Sequence, residues 1–295
     1  MDIEESKRIK KQIRREKNKR ILKVLFSRKL VVVGSVGLLI FIFLAVFAGV
    51  LTPHCPNTNN VHSILEGPSR THWLGTDQFG RDTLTRLLFG ARVSLIIGVL
   101  AVAIACVAGV FLGLVSAYFG GVVDHIIMRV TEAFMAIPTI MISLALIAII
   151  GNTITDMALI LGIATVPAYT RMIRAMALSV RSSDYVKASQ IQGGGSLYIM
   201  IRHILPNSMS PVIIMMMQNV GMTILMESGL SFLGIGITIP VASWGSMVNT
   251  GRAFLIINPI MALAPGLCVA LLVICLNALG DGIRDAMDPR LRGEV

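Results

Sequence analysis

DYVKASQIQGGGSLYIMIRHILPN, residues 184–207, is a polar and basic segment between two strongly apolar ones. Helix-compatible residues lead into three glycines at 193–195, a second helix-compatible run follows, and Pro206 limits the continuation of that run. The pattern predicts two short helices that meet at an elbow. Because each unpaired backbone group costs several kcal/mol in lipid, the elbow must project into water or into a partner.

The composition around this elbow is that of a membrane protein. The 295 residues are 55% hydrophobic and 14% charged, whereas charged residues make up about 25% of soluble domains. The net charge of +10 raises the alternative of nucleic-acid binding. However, 12 of the 26 lysines and arginines lie between Lys7 and Lys29, directly before an apolar stretch. That position favours a cytoplasmic tail beside anionic membrane lipid, and we expect no nucleic-acid partner.

Uncharged intervals predict where the chain crosses the membrane, since roughly 20 apolar residues span the hydrocarbon core. Six intervals are long enough, near residues 30–51, 93–117, 133–150, 154–169, 211–232 and 259–279. With both termini in the cytoplasm, the inner segments hold 20 of the 26 basic residues and the outer segments hold five. This asymmetry follows the positive-inside rule. The sequence therefore predicts an all-α polytopic membrane protein with six transmembrane helices.

This topology divides the chain into parts of different character. They are a basic cytoplasmic tail (1–29), a first transmembrane helix (30–51), an external segment (52–92), a core with five transmembrane helices and the loop 184–207 (93–280), and a cytoplasmic C-terminal tail (281–295). In the external segment, apolar residues are spaced for one helical face: Leu84, Leu87, Leu88 and Val93. Charged residues keep the other side polar: Arg81, Asp82 and Arg86. We expect an amphipathic helix that lies at the outer membrane surface and leads into the second span.

The sequence offers little for chemistry on this chain. It contains no Gly-x4-Gly-Lys-Ser/Thr phosphate loop, so we expect no bound ATP, no other cofactor and no catalytic residue. Metal ligation by His54, Cys55, His62 and His72 in the external segment is an alternative. Because the histidines lack an i,i+4 pairing, the sequence predicts no metal site.

Polar residues recur on one face of the fifth predicted helix. Asn219, Thr223 and Glu227 are four residues apart, so they share one side. Such groups either line a water-filled translocation path or hydrogen-bond to a neighbouring helix, and both interpretations stay open. Near the inner end of the third helix, Arg129 and Glu132 at i,i+3 predict a structural ion pair.

The loop 184–207 resembles the "EAA" loop of ABC-importer permeases, which reads Glu-Ala-Ala, three residues, Gly, nine residues, Ile, one residue, Leu-Pro. The spacing is kept throughout, at Lys187, Ala188, Ser189, Gly193, His203, Leu205 and Pro206. Lys187, Ser189 and His203 replace the family's Glu, Ala and Ile. The resemblance implies that this loop, beginning at Asp184 and Tyr185, is a coupling helix that docks into a groove on an ATPase subunit.

Longer blocks resemble the second permease subunit of dipeptide/oligopeptide/nickel importers. They are HWLGTDQFGRDTLTRLLFGARVSL (72–95), YFGG (118–121), ESGLSFLGIG (227–236), WGSM (244–247) and LGDGIRDAMDPR (279–290). This resemblance implies a type I ABC-importer permease fold that forms half of a translocation path. It implies a cargo of peptides or a related small solute such as a nickel chelate or an opine.

The same resemblance implies a set of partners. They are a homologous second permease subunit, two ABC ATPase subunits that bind ATP and Mg²⁺, and an external substrate-binding protein. It places the complex in a bacterial or archaeal plasma (inner) membrane. An alternative is a secondary transporter driven by an ion gradient, usually with inverted repeats. The lack of an internal repeat and the presence of the coupling loop argue against it.

Overall fold

The structure, a computed structural model, describes residues 28–287, in which helices dominate. The helices are α1 (Lys29–Val46), α2 (Ala48–Leu51), α3 (Thr83–Phe119), α4 (Gly121–Met135), α5 (Thr139–Ile150), α6 (Ile154–Arg181), α7 (Asp184–Ile191), α8 (Ser196–Ile199), α9 (Leu205–Phe232), α10 (Trp244–Gly251) and α11 (Ile260–Met287). Five helices in this range are long and apolar enough to cross a membrane, or six if the bent pair α4 and α5 is one span. The predicted all-α architecture is confirmed.

Helix α3 corrects the prediction for the external segment. It runs without interruption for 37 residues from Thr83, so the predicted helix does lead into the second span, but it is the start of the spanning helix rather than a helix that lies along the surface. Arg81, Asp82 and Arg86 are buried rather than exposed on a polar face. The Asp82 side chain caps the helix, because its Oδ2 accepts from Thr85 N–H at 2.7 Å. Residues 83–92 are therefore the first part of the helix that forms the second predicted span.

The third predicted span, 133–150, is broken. Helices α4 and α5 meet at an angle of 91°. The break contains Pro138, which precedes α5 and disfavours helical geometry at Ile137. Helix α5 has 12 residues and is therefore about 18 Å long, less than the roughly 30 Å hydrocarbon core. A full crossing here needs part of α4.

Several helix ends differ from the predicted ones. The first span kinks at Phe47, between α1 and α2. Helix α6 continues to Arg181, beyond the predicted end at 169, and α11 continues to Met287, so the start of the predicted C-terminal tail is helical. Residues 1–27 and 288–295 of the two predicted tails lie outside the described range.

Helices α3 and α6 form the most extensive contact in the bundle, and glycines permit it. A Cβ atom added at Gly109 would lie 3.0 Å from Thr170 N, and one added at Gly113 would lie 2.7 Å from Thr170 O. The N and O atoms of Thr170 belong to the backbone and cannot move aside, so a larger residue at Gly109 or Gly113 would push the two helices apart. The Gly-x3-Gly spacing is a known signal for close helix packing in membranes.

We predict that Gly113→Ala lowers the free energy of unfolding by about 1–3 kcal/mol, because the added methyl group overpacks the α3–α6 contact. Equilibrium unfolding of the purified chain in detergent micelles measures the effect. The matched control is Gly229→Ala on α9, where no atom lies within 4 Å of the added Cβ. The control should be neutral or stabilising by up to about 1 kcal/mol. Equal destabilisation by both changes would contradict the packing argument.

Candidate functional site

The first arm of the elbow (residues 184–207) is helix α7, which ends in a regular C-terminal cap. Gly194 N–H donates to Ser189 O at 2.9 Å and Gly193 N–H donates to Gln190 O at 3.0 Å. This pair of bonds is a Schellman motif, whose C′ residue takes a left-handed conformation. Gly193 occupies that position with φ +80°. It therefore supplies a backbone angle that a residue with a Cβ resists.

The second arm of the elbow corrects the sequence interpretation. It is not a short helix, because residues from Ser196 to Phe232 form one helix that can cross a membrane. A π-helical turn over Met200–Ile204 lies directly before Pro206, which sits in the first turn of α9. The wider turn accommodates a ring that would otherwise clash with a carbonyl one turn earlier. Pro206 therefore does not limit this helix.

The inner face of the elbow is fixed to the bundle. Val186 on α7, Ile199 on α8 and Ile204 in the π turn are each fully buried. They belong to one apolar cluster with Leu114 of α3 and Ile173 of α6. Apolar burial on both arms holds the elbow against the ends of the two most closely packed helices. It is a packed element of the fold rather than a free loop.

The outer face of the elbow exposes apolar side chains. Ile191 is 87% exposed and Leu197 is 67% exposed. Tyr185, Tyr198 and Ile201 are also more than a third exposed. Exposed apolar patches of this kind mark surfaces that contact a partner. The two faces together give a rigid element with an apolar contact surface, which we call the elbow surface.

The structure brings the predicted motif residues together at this elbow. Lys187 pairs with Asp184 at 3.6 Å, and both side chains are largely exposed. The centroid of the His203 ring lies 6.2 Å from that of Tyr185 and 5.5 Å from that of Tyr198, so His203 packs against both arms. Ala188 and Pro206 are exposed, and Ser189 and Leu205 are partly buried. In the described structure, Lys187 therefore makes its charge contact within its own helix.

The polar face of α9 is divided between two surroundings. Asn219 Nδ2 donates to Tyr169 Oη of α6 at 3.1 Å. Thr223 is buried, and the fully buried Glu227 accepts from Ser231 Oγ at 2.7 Å on its own helix. The bond of Asn219 favours a role between helices. The assignment of these residues to a translocation path stays a prediction.

Glu227 connects α9 to the loop that follows it. Ser231, its hydrogen-bond partner, also accepts from the Ile237 N–H at 3.1 Å. The second carboxylate oxygen of Glu227 has no partner among the described residues. Burying a carboxylate oxygen without a hydrogen-bond partner costs free energy. The hydrogen bond from Ser231 offsets part of that cost for Glu227.

Two charged clusters were not predicted. Asp77 Oδ2 pairs with Arg81 Nε at 2.7 Å and with Arg86 Nε at 3.5 Å, all three side chains being largely buried. Arg174 of α6 makes a bidentate pair with Asp124 of α4 at 2.5 and 2.6 Å. Asp124 and Arg174 are 50 positions apart, and the sequence did not show which sides of residues 77–86 are buried, so neither cluster could be predicted from residue spacing. The predicted pair of Arg129 and Glu132 is present at 3.3 Å.

Among the described residues, five or six helices are long and apolar enough to cross a membrane, and the elbow is fixed against them, which defines a polytopic membrane protein. Residues 109–293 match the family described as "Binding-protein-dependent transport system inner membrane component". Residues 18–68 match the N-terminal TM domain of oligopeptide transport permease C. The chain belongs to this family of transport permeases.

Relatives of the chain are also permeases. It is 38% identical, over 92% of its length and 89% of the relative, to the dipeptide transport system permease protein DppC of Alkalihalophilus pseudofirmus. It is 36% identical, over 88% of its length and 87% of the relative, to the glutathione transport system permease protein GsiD of Pectobacterium atrosepticum. A putative peptide transport system permease protein of Brucella suis is 38% identical over 92% of this chain and 91% of that one.

We predict a measurable coupling between Asn219 and Tyr169. In a double-mutant cycle with Asn219→Leu and Tyr169→Phe, the coupling energy should be about 0.6 kcal/mol in favour of the pair, the average for hydrogen bonds between membrane helices. Denaturant unfolding in micelles provides the four stabilities. Additive effects would show that the 3.1 Å bond contributes nothing to the α6–α9 contact. That result would favour the other interpretation of Asn219, a position in the lining of the translocation path.

Proposed function

We propose that this chain is a transmembrane permease subunit of an ABC importer for short peptides and that its elbow couples it to ATPase subunits. The observation that carries the proposal is the elbow itself. Its inner residues are buried in the bundle, and its outer residues form an exposed apolar surface. Membership in a family of binding-protein-dependent transport components supports the same function.

The cargo follows from the named relatives. The three relatives described above carry names that specify dipeptide, glutathione or peptide transport. We therefore propose a peptide cargo. Nickel chelates and opines are the competing cargoes in the test. Uptake by reconstituted vesicles should occur with a dipeptide and should require ATP and the ATPase subunits. Uptake of nickel alone, or uptake driven by an ion gradient without ATP, would refute the proposal.

The proposed complex has four further components. A homologous permease subunit completes the path, two ATPase subunits hold ATP and Mg²⁺, and an external binding protein delivers the cargo. No step of ATP chemistry falls to this chain. Closure of the ATPase pair displaces the elbow as a rigid element, and the bundle passes between inward-open and outward-open states.

The proposed orientation follows from charge. The basic tail, the elbow and the C-terminus share the cytoplasmic side of the inner membrane, since that side then holds 20 of the 26 basic residues. The external segment and the loop between α9 and α11 then face the binding protein. In this orientation α3 and α6 both end at the cytoplasmic side, where the elbow meets its partner.

We predict that Gly193→Ala lowers ATP-driven peptide uptake several-fold. A Cβ in the left-handed region costs about 1–2 kcal/mol, so the native elbow geometry becomes less populated. No atom lies within 4 Å of the added Cβ, so the effect comes from the backbone alone. The measurement is uptake by vesicles that contain the complete complex, with the amount of folded permease determined in parallel.

The control for this prediction lies two residues away. Gly195 has φ −64° and ψ 150°, and a Cβ there also meets no atom within 4 Å. Because any residue adopts this conformation, Gly195→Ala should leave uptake unchanged. Full activity of the Gly193→Ala variant would remove the left-handed elbow from the coupling mechanism. Equal losses in both variants would assign the effect to the side chain rather than to the backbone angle.

We also predict that Leu197→Asp abolishes co-purification of the ATPase subunits, because it places a charge in the centre of the elbow surface. Leu197 is 67% exposed, so the folded permease should remain stable. Val61→Asp is the control, since Val61 is 78% exposed in the external segment. It should retain the ATPase subunits. Retention by the Leu197→Asp variant would show that the elbow surface is not the docking site.

A further inference from the structure

Three potential metal ligands converge in the external segment, outside the elbow. His54, His72 and Asp82 each offer one ligand atom, and these atoms all lie within 4.8 Å of one another. The rings of His54 and His72 have centroids 4.9 Å apart and are tilted by 32°. From the sequence, His54 and His72 are candidate ligands together with Cys55 and His62, but Asp82, 28 positions after His54, is not among those candidates. His62 is not part of the group.

We propose that His54, His72 and Asp82 form a binding site for a divalent transition metal ion of the Zn²⁺ class. Two imidazoles and one carboxylate are a ligand set that Zn²⁺ accepts, with a fourth position left for water. Imidazole ligands disfavour Mg²⁺ and Ca²⁺, which prefer oxygen alone. The site links the segment after the first span to the N-terminus of α3.

The spacing of the ligands fits an ion after a small adjustment. His72 Nδ1 lies 2.9 Å from Asp82 Oδ1, and two ligands on a tetrahedral ion with bonds of about 2.0–2.2 Å lie roughly 3.3 Å apart. The ion therefore takes the place of the proton that these two atoms share. The adjustment falls to His54, whose side chain is partly exposed and makes one hydrogen bond, from Nε2 to Thr71 O at 3.2 Å.

The surroundings orient the ligands. Asp82 Oδ2 accepts from Thr85 N–H and from Thr85 Oγ1, both at 2.7 Å, which fixes the carboxylate and leaves Oδ1 toward His72. Thr71 O only accepts, so the Nε2 of His54 carries the proton in that contact and Nδ1 keeps its lone pair. Outer contacts of this kind fix ring orientation and tautomer in metal sites. The side chains of His72 and Asp82 are 13% and 4% exposed.

The test uses the full-length chain in detergent micelles, without an affinity tag that binds metal. Cys55 is exposed beside His54 and is a thiol that binds Zn²⁺ by itself, so every variant carries Cys55→Ser. Calorimetric titration with Zn²⁺ should give one ion per chain, and Co²⁺ should give the intense visible absorption of a tetrahedral site. Bound Zn²⁺ should raise the unfolding temperature.

Two variants and one control decide the proposal. His54→Ala removes a ligand, and Asp82→Asn removes the carboxylate while keeping a side chain that caps α3. Each should weaken Zn²⁺ binding by at least ~10-fold and abolish the thermal shift. His62→Ala, in the same segment, should bind as tightly as the parent. Absence of stoichiometric binding by the parent, or equal weakening by His62→Ala and His54→Ala, would overturn the site.

Discussion

The close approach of α3 and α6 at Gly109 and Gly113 is the contact on which the rest of the structure depends. Lipid tails are as apolar as side chains, so helices in a membrane associate through packing rather than through the hydrophobic effect. Glycine lets the α3 backbone reach that of Thr170. Arg181 Nη1 also donates to Ala117 O at 2.9 Å, which fixes the end of α6 against α3. Because α7 begins three residues after Arg181, this contact also sets the position of the elbow.

The elbow surface is connected to the opposite end of the molecule by one helix. Ser196 to Phe232 is continuous, with the π turn at its start. Pro206 and Pro211 donate no backbone N–H to this helix, but the helix still runs from the elbow to Phe232. At the far end, Ser231 donates to Glu227 and accepts from the Ile237 N–H, so the loop after Phe232 is tied to the same helix. In the proposed function, this continuity connects the docking surface for the ATPase partner to the loop that follows α9.

The external segment is a packed structure held by buried charges. Asp77 holds Arg81 and Arg86, and Arg86 Nη1 also donates to Pro56 O at 2.8 Å. Buried charges are tolerated only when they are paired and hydrogen-bonded, so these contacts specify one arrangement of the chain. The same arrangement brings His54 and His72 to Asp82. The proposed metal site and the cap of α3 thus share a residue.

The sequence by itself determined the features that depend on near neighbours along the chain. Its apolar intervals predicted the all-α membrane class, and the three glycines at 193–195 predicted the elbow. The tertiary structure decided which distant residues meet, including Asp124 with Arg174 and His54 with Asp82. It also decided that α4 and α5 bend at Pro138 and that the helix continues past Pro206. Hydropathy and residue spacing predict local structure within a few residues along the chain. These other outcomes depend on which distant residues pack against each segment.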